Sequence, residues 1–293
     1  LRQGVKEAKG EEMISPPLKW HGGKTYLAEW IRSFDPAGSY CHRVHPYGGG
    51  LGEFWNWPHE GVSEVVNDID GRLTNFYRCL QDYNLFAYIR RLLETMPFSS
   101  LEWKLASDWL DDEKRPLIGI SAHHAAMFFV LVRQSRQGLM KDFATLSRNR
   151  TRRGMNEQVS SWLTAIEGLP EVHERLKRVV IENMPAVELI RREDGPNTLF
   201  YLDPPYMHET RTVTNAYAHE MRHEQHDALL CVLNEIRGRF MLSGYHCDLY
   251  DEWAKAHRFV CHEKQIDNKA GSGETKRTMT ECLWCNFGKP AQP

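Results

Sequence analysis

An α/β fold is predicted, with a largely parallel sheet and a mostly helical segment inserted into it. Three observations lead there. A strand-like run, a glycine cluster, a helix, a second strand and an acid follow one another in the order that nucleotide-type cofactors use. A later apolar run, Leu199 to Leu202, delivers Asp203-Pro204-Pro205-Tyr206. Between these two blocks, residues 83–174 change character to helical periodicity punctuated by Pro97 and Pro116.

In chain order, Tyr26 to Phe34 has the spacing of a short amphipathic helix and follows the glycine-bearing run Lys19-Trp20-His21-Gly22-Gly23-Lys24. His42 to Tyr47 reads as a strand entering Gly48, Gly49, Gly50 and Gly52, and a helix carrying Phe54 and Trp55 is expected from about Gly52. Glu64 to Asp68 reads as a buried strand ending in an acid, and Gly71 to Leu93 as one helix with Leu73, Phe76, Tyr77 and Leu80 on its apolar face. After the insert, strands are expected at 178–181, 198–202 and 240–243, and helices at 222–237 and 249–256. The segments 261–266 and 280–287 flank Gly271-Ser272-Gly273 and suit a closing hairpin. The expected division is a flexible leader over 1–15, a core over 16–82 and 175–293, and the insert over 83–174.

Composition bounds the function. The chain has 293 residues, 41% hydrophobic and 26% charged, as an ordinary globular protein does. It lacks the run of roughly 20 apolar residues that a membrane span requires. Its polar start does not read as a signal peptide. Seven scattered cysteines suit reduced thiols in a cytoplasmic protein. Cys282-Leu-Trp-Cys285, with His246, Cys247, Cys261 and His262, has some zinc-ligand character, but no second Cys-x-x-Cys accompanies it, and buried strand cysteines are the expected reading. His219, His223 and His226 lie at helical spacing without a His-Glu-x-x-His order, so no metal is expected. Net charge is only −2. Locally, however, Arg133, Arg136, Lys141, Arg148, Arg150, Arg152 and Arg153 face Asp142 alone between 133 and 153. Such a cluster attracts phosphates; a solvated charged loop is the bland alternative.

Asp203-Pro204-Pro205-Tyr206 carries the chemistry. A strand brings the acid to the carboxyl edge of the sheet, where α/β folds hold ligands. The prolines fix φ and free their carbonyls from the ladder, and an aromatic ring follows. Carboxylate, carbonyl and ring together suit an exocyclic amine on a flat base. A plain turn after a strand is the structural alternative.

With these motifs in this order, the chain resembles the Dam-type DNA adenine-N6 methyltransferases of the alpha motif order. That family has Lys-Trp-x-Gly-Gly-Lys first, then Glu-Pro-Phe-x-Gly-x-Gly, an acid after the second strand, a target-recognition insert, and Asp-Pro-Pro-Tyr. The counterparts here are 19–24, 45–52, Asn67-Asp68, 83–174 and 203–206. The resemblance implies a Rossmann-like core that uses S-adenosylmethionine and a helical insert that binds double-stranded DNA. It implies cofactor contacts from Trp20, Gly22, Gly23, Lys24, Tyr47, Gly49, Gly50 and Asp68, the last accepting from the ribose. Asp203 is implied to hold the target amine and to border the cofactor, with Pro204 and Pro205 shaping the site and Tyr206 stacking on a flipped adenine. Ser243 and Tyr245 fall where the family packs around cofactor and base.

Arg133 to Gly138 is placed near the duplex, with Lys141 to Arg153 as a recognition hairpin or loop. Arg136 is the best candidate for a base contact. Two positions depart from the pattern: His45 replaces the usual glutamate, and Leu51 takes a usual glycine position. Glu182 to Ala186 has no clear counterpart of the acid that often contacts the cofactor adenine. The implied setting is the cytoplasm of a bacterial or phage-infected cell, as a monomer or weak dimer, with a cognate restriction endonuclease as a candidate partner. The alternatives are a cytosine-N4 methyltransferase and a catalytically silent DNA-binding protein. Cytosine-C5 chemistry is disfavoured because no cysteine follows a proline.

Overall fold

The computed structural model describes residues 13–112, 117–207, 220–267 and 278–288. At its centre is a seven-stranded sheet in the order β5-β2-β1-β6-β7-β9-β8. The strands are β1 (His42–His45), β2 (Ser63–Asn67), β5 (Val179–Glu182), β6 (Thr198–Leu202), β7 (Arg239–Tyr245), β8 (Val260–Asp267) and β9 (Thr278–Cys285). From β5 through β7 all pairings are parallel; β9 is antiparallel to both β7 and β8. The chain runs outward from β1 through β2 to β5, then returns to place β6 on the other side of β1. That reversal of strand order opens a crevice at the carboxyl ends of neighbouring strands.

The inner parallel strands are short and largely buried on both sides, whereas the edge strand β5 leaves Val180 51% exposed. β6, Thr-Leu-Phe-Tyr-Leu, is buried at all five positions, so it reads as a continuous apolar run instead of an alternating one. In β9, Cys282 and Trp284 enter one core cluster while Leu283 and Cys285 enter another across the sheet. The two cysteine sulfurs of Cys-x-x-Cys therefore face opposite ways and cannot share a metal.

The expected single helix over Gly71 to Leu93 is two helices, α2 (Gly71–Gln81) and α3 (Tyr83–Thr95). Asp82 breaks it, extended at ψ 130°, its carboxylate accepting from the amides of Asn84 and Leu85. A side chain that caps a helix start competes with helix continuation. The helix expected from Gly52 is a series of turns, in which Phe54 donates to the Leu51 carbonyl and Trp57 to that of Phe54. Only a few residues separate Gly52 from Pro58, too few to offset helix nucleation. The expected helix at 26–34 is a 3-10 turn (Thr25–Leu27) leading into the short α1 (Ala28–Arg32). The strand expected at 240–243 runs on to Tyr245.

Residues 83–174 form α3, α4 (Ser100–Leu110), α5 (Ala122–Gln134), α6 (Glu157–Glu167) and most of α7 (Leu169–Leu176). Their apolar faces join α2 and Val66 in one cluster, with Phe76, Phe128, Phe129 and Trp162 buried together. The helical stretch thus shares a core with the sheet. Near the expected recognition segment, β3 (Thr151–Arg152) pairs with β4 (Met155–Asn156) across Arg153 and Gly154, both at positive φ as a two-residue hairpin turn requires. Of the expected flexible leader, residues 1–12 lie outside the described residues. Ile14 is held by a reciprocal pair of hydrogen bonds with the Asn56 amide, 2.8 and 2.9 Å, so the leader is fixed at that point.

One close backbone contact ties the helical stretch to the Lys19–Trp20 segment. At Gly138, φ is +72°, and a Cβ added there would sit 1.7 Å from the Lys19 carbonyl oxygen. Gly138→Ala should lower stability by about 1–3 kcal/mol, because backbone must move to relieve the overlap. It should also weaken S-adenosylmethionine binding by displacing Trp20. Thermal melts and a cofactor titration check this; wild-type values in both would contradict it.

Candidate active site

The crevice at the reversal of strand order is a cavity of about 440 Å³, inside the range of small-molecule sites. Trp20, Tyr47, Gly49, Asp68, Asp203 and Pro205 line it, as do Pro185 to Val187, Met221, Gln225 and Ala228. Its walls come from the loops after β1, β2, β5 and β6.

Asn67, at the end of β2, ties three of those loops together. Its amide donates to the carbonyls of Pro46 (2.9 Å) and Met184 (3.0 Å), and its oxygen accepts from the Met184 amide (3.0 Å). Next to it, Asp68 accepts from the Gly49 amide at 2.9 Å and from the Asp70 amide at 2.9 Å. Each carboxylate oxygen keeps acceptor capacity beyond one amide, so Asp68 can hold the glycine loop and still take hydroxyl donors.

The glycine cluster accommodates an indole. A Cβ on Gly50 would lie 2.4 Å from the Trp20 Cβ, so only a glycine lets Trp20 press against this loop. Gly22, at φ +77°, makes the turn that closes with the Gly23 amide donating to the Trp20 carbonyl. Gly22, Gly23, Gly50 and Lys24 therefore do not line the main cavity. Gly23 and Gly50 instead border a smaller cavity of about 290 Å³ beside Lys19 and Arg133.

The two departures from the motif have physical accounts. Leu51 takes the left-handed conformation (φ +53°) that a glycine would adopt at no cost. The strain, about 1–2 kcal/mol, is opposed by full burial of its side chain. His45 is buried against Phe54 and Trp57, with Nδ1 3.1 Å from Glu53 Oε1. Burial drives its pKa down to about 3, so it is neutral. An acid is thus still present at this position, supplied by Glu53, whose carboxyl burial raises to about 7.

Asp203 stands at the junction of the cavity and a second, buried cluster. Its Oδ1 lies 3.4 Å from Lys24 Nζ, which is 3.2 Å from Glu281 Oε1. The Tyr206 hydroxyl donates to the same Glu281 oxygen. Lys24 Nζ sits 4.3 Å from the centre of the Tyr206 ring, and the Tyr245 ring meets it edge-on at 4.7 Å. Ser243 bonds the Tyr201 hydroxyl at 2.9 Å. Burial pushes the Asp203 carboxyl up to about 6; Lys24 opposes the shift and Glu53 adds to it. Tyr206 is only 6% exposed and does not border the cavity. Glu281 escaped the sequence reading. The signal was present, since position 281 shares the alternation of Leu283 and Cys285 in a strand buried on both faces.

The basic residues are less uniform than their sequence suggests. Arg133 is turned inward, donating to the Ser161 carbonyl at 2.9 Å, and burial lowers its pKa to about 10, which still leaves it charged. Arg136 pairs with Asp142 (2.5 Å), Arg153 with Glu167 (2.8 Å) and Arg150 with Glu157 (3.8 Å). The acids at 157 and 167 lie outside the 133–153 stretch, in which Asp142 is the only acid. Lys141, Arg148 and Arg152 are exposed.

His226 packs on Tyr250, its Nδ1 2.8 Å from the phenol, and His223 pairs with Asp227; His219 lies outside the described residues. No group of three metal-ligating side chains occurs among the described residues, and no helix there is long and apolar enough to cross a membrane.

The cavity suits S-adenosylmethionine. Asp68 offers an acceptor for ribose hydroxyls, the Pro185–Val187 wall is apolar enough for an adenine ring, and Gly49 lines the same space with its amide and carbonyl held by Asp68 and Tyr77. Glu182, paired with Arg192 at 2.9 Å, does not line it. No curated protein matches the chain. A family model for D12 class N6 adenine-specific DNA methyltransferases matches residues 20–268. The chain therefore belongs to that family, which includes the Dam-type enzymes, and transfers a methyl group from S-adenosylmethionine to the N6 amine of adenine in double-stranded DNA.

Proposed function

We propose that transfer takes place beside Asp203, with the cofactor in the 440 Å³ cavity and the target base entering from the Lys24–Tyr206 side. The carrying observation is that Asp203 both lines the cavity and contacts the buried Lys24–Tyr206 cluster. When bound, S-adenosylmethionine supplies the electrophilic methyl. Asp203 and the Pro204 carbonyl accept from the target amine, aim its nitrogen, and stabilise the positive charge it develops, by about 3–4 kcal/mol for a well-placed group of this kind. A base in a duplex cannot reach this depth, so it flips out at a cost of a few kcal/mol. Stacking on Tyr206 returns about 1–3 kcal/mol, once the neighbours that cover the ring give way. Trp20, Tyr47, Gly49 and Asp68 hold the cofactor, while Gly22, Gly23, Gly50 and Lys24 shape that wall from behind.

Asp203 offsets the developing positive charge only when ionised. Its carboxyl is held near 6, so turnover should fall as pH drops through about 6. A rate–pH profile flat across that range would contradict this role.

Residues 83–174 are assigned as the DNA-recognition segment, with Arg136, Lys141, Arg148, Arg150, Arg152 and Arg153 presented to the duplex. Arg133 acts from within, supporting the end of α5. The ion pairs on Arg136, Arg150 and Arg153 orient the guanidiniums before DNA arrives. Lys141→Ala or Arg148→Ala should weaken binding on all sequences and reduce the salt slope by about one if a phosphate contact is lost.

The overall test is transfer of labelled methyl from S-adenosylmethionine to unmethylated duplex DNA, followed by nucleoside analysis and mapping. Label in N6-methyladenine at a fixed sequence is expected. Label in N4-methylcytosine would keep the site and move the substrate. A chain that binds neither cofactor nor transfers methyl would be a silent DNA-binding protein.

A further inference from the structure

We propose that Glu281 is a positioning residue for methyl transfer, fixing Tyr206 and Lys24 and, through Lys24, the charge state of Asp203. This rests on the reading of Asp203 as the acceptor for the target amine.

Glu281 lies on β9, far in sequence from the motifs that define the site, opposite Tyr245 of β7. Its side chain is 1% exposed. One oxygen, Oε1, takes both the Tyr206 hydroxyl and the Lys24 ammonium. The other, Oε2, is buried with no hydrogen-bond partner among the described residues. An acid in this position is poor for stability, because burying a carboxylate with an unsatisfied oxygen costs more than an apolar side chain of the same size. Its value lies in what it holds. The phenol anchor sets the direction of the Tyr206 ring. The Glu281–Lys24–Asp203 chain divides one ammonium between two carboxylates.

That division has a consequence for ionisation. Several groups face the cluster: Lys24 and Tyr26 from the first turn, Glu53 from the loop after β1, and Tyr201, Asp203 and Tyr206 from β6 and its extension. Among them Lys24 is the cation within ion-pair distance of both acids. Burial raises the Glu281 carboxyl, Lys24 opposes that shift, and Asp203 adds to it. Like charges this close disfavour double ionisation. Removing the charge at position 281 leaves the ammonium to Asp203 and relieves a repulsion, so Asp203 ionises more readily.

The test uses the full chain, S-adenosylmethionine and duplex DNA carrying its mapped target. Glu281→Gln should lower kcat about 10- to 100-fold, as expected for small misplacements of reacting groups, with cofactor affinity kept. Its acid limb in the rate–pH profile should move to lower pH. A residue that merely filled space would leave that limb in place. Tyr206→Phe removes the anchored hydroxyl and keeps the ring; it should also lose kcat, about tenfold. The double variant should be no slower than the slower single one, because both changes break one link.

Wild-type kcat and an unmoved acid limb in Glu281→Gln would overturn the proposal, as would additive losses in the double variant. Should Glu281→Gln not fold, Tyr206→Phe decides: unchanged kcat overturns the anchor. Asp203→Ala is run alongside. If it stays active, the reading of Asp203 fails; if it is dead while Glu281→Gln is normal, only the role of Glu281 fails.

Discussion

Asp203→Ala is expected to abolish methyl transfer and to leave S-adenosylmethionine bound within a few-fold of wild type. The first half follows from position. Asp203 is the carboxylate that borders the cavity and also faces Lys24 and the Tyr206 loop. Removing a preorganised acceptor of this kind costs about 10²–10³-fold in kcat, and losing the charge in a buried site adds to that. The second half follows from what remains. Trp20, Tyr47, Asp68 and the Pro185–Val187 wall are untouched, and Lys24 keeps Glu281 as a counter-ion at 3.2 Å. The variant should therefore fold. Single-turnover transfer and a cofactor titration read the two halves separately. Near-normal turnover would sink the assignment of the site.

Glu64→Ala should lower stability by about 3–5 kcal/mol, the largest effect expected from any change outside the active site. Glu64, on β2, lies between Arg43 of β1 and Arg175 of α7, at 2.5 Å from one and 2.6 Å from the other, and all three are buried. Arg43 also lies over Trp57 and Arg175 over Phe54. Without the carboxylate, two guanidiniums remain buried with no other carboxylate at ion-pair distance among the described residues. Burial alone would raise the Glu64 carboxyl, but the hydrogen bonds and charges of Arg175 and Arg43 outweigh it and hold the carboxyl below the usual range. A carboxyl depressed in the folded state contributes stability above its unfolded range and loses it as pH falls through the folded one. Wild type should thus lose part of its margin on acidification, a component the variant lacks. Denaturant titrations at neutral and acidic pH measure both. Equal midpoints for the two proteins at neutral pH would refute the prediction.

The sequence carried the parts of this molecule that depend on local pattern. β6 was readable to the residue because five consecutive buried positions ended at an acid and two prolines. The hairpin of β8 and β9 was readable from its alternation. Two helical expectations failed for opposite reasons. At Asp82 a capping side chain overrode an unbroken apolar period, and after Gly52 there was too little chain before Pro58.

The site was half legible. Asp203, Tyr47, Gly49 and Asp68, each singled out by its motif, line one cavity. Glu281 and Glu53 did not stand out, because what makes them notable is burial beside Lys24 and His45, contacts made across long sequence separations. The inward turn of Arg133 was hidden likewise, since an arginine at a helix end reads as solvent-facing until Ser161 is placed beside it. The departures at His45 and Leu51, which left a silent fold open as an alternative, prove compatible with an intact cavity.

Because the Gly138 backbone rests on the Lys19 carbonyl, this protein divides sharply into what can drift and what cannot. Downstream of Met140, Lys141, Arg148 and Arg152 stand at the surface, where the fold tolerates substitution. The turn at Arg136–Gly138 has no such freedom, because a shift there is felt at Trp20 and hence by the methyl donor. Chimaeras that exchange the 141–153 segment, joined after Met140, should therefore retain cofactor binding, where those joined before Arg136 lose it.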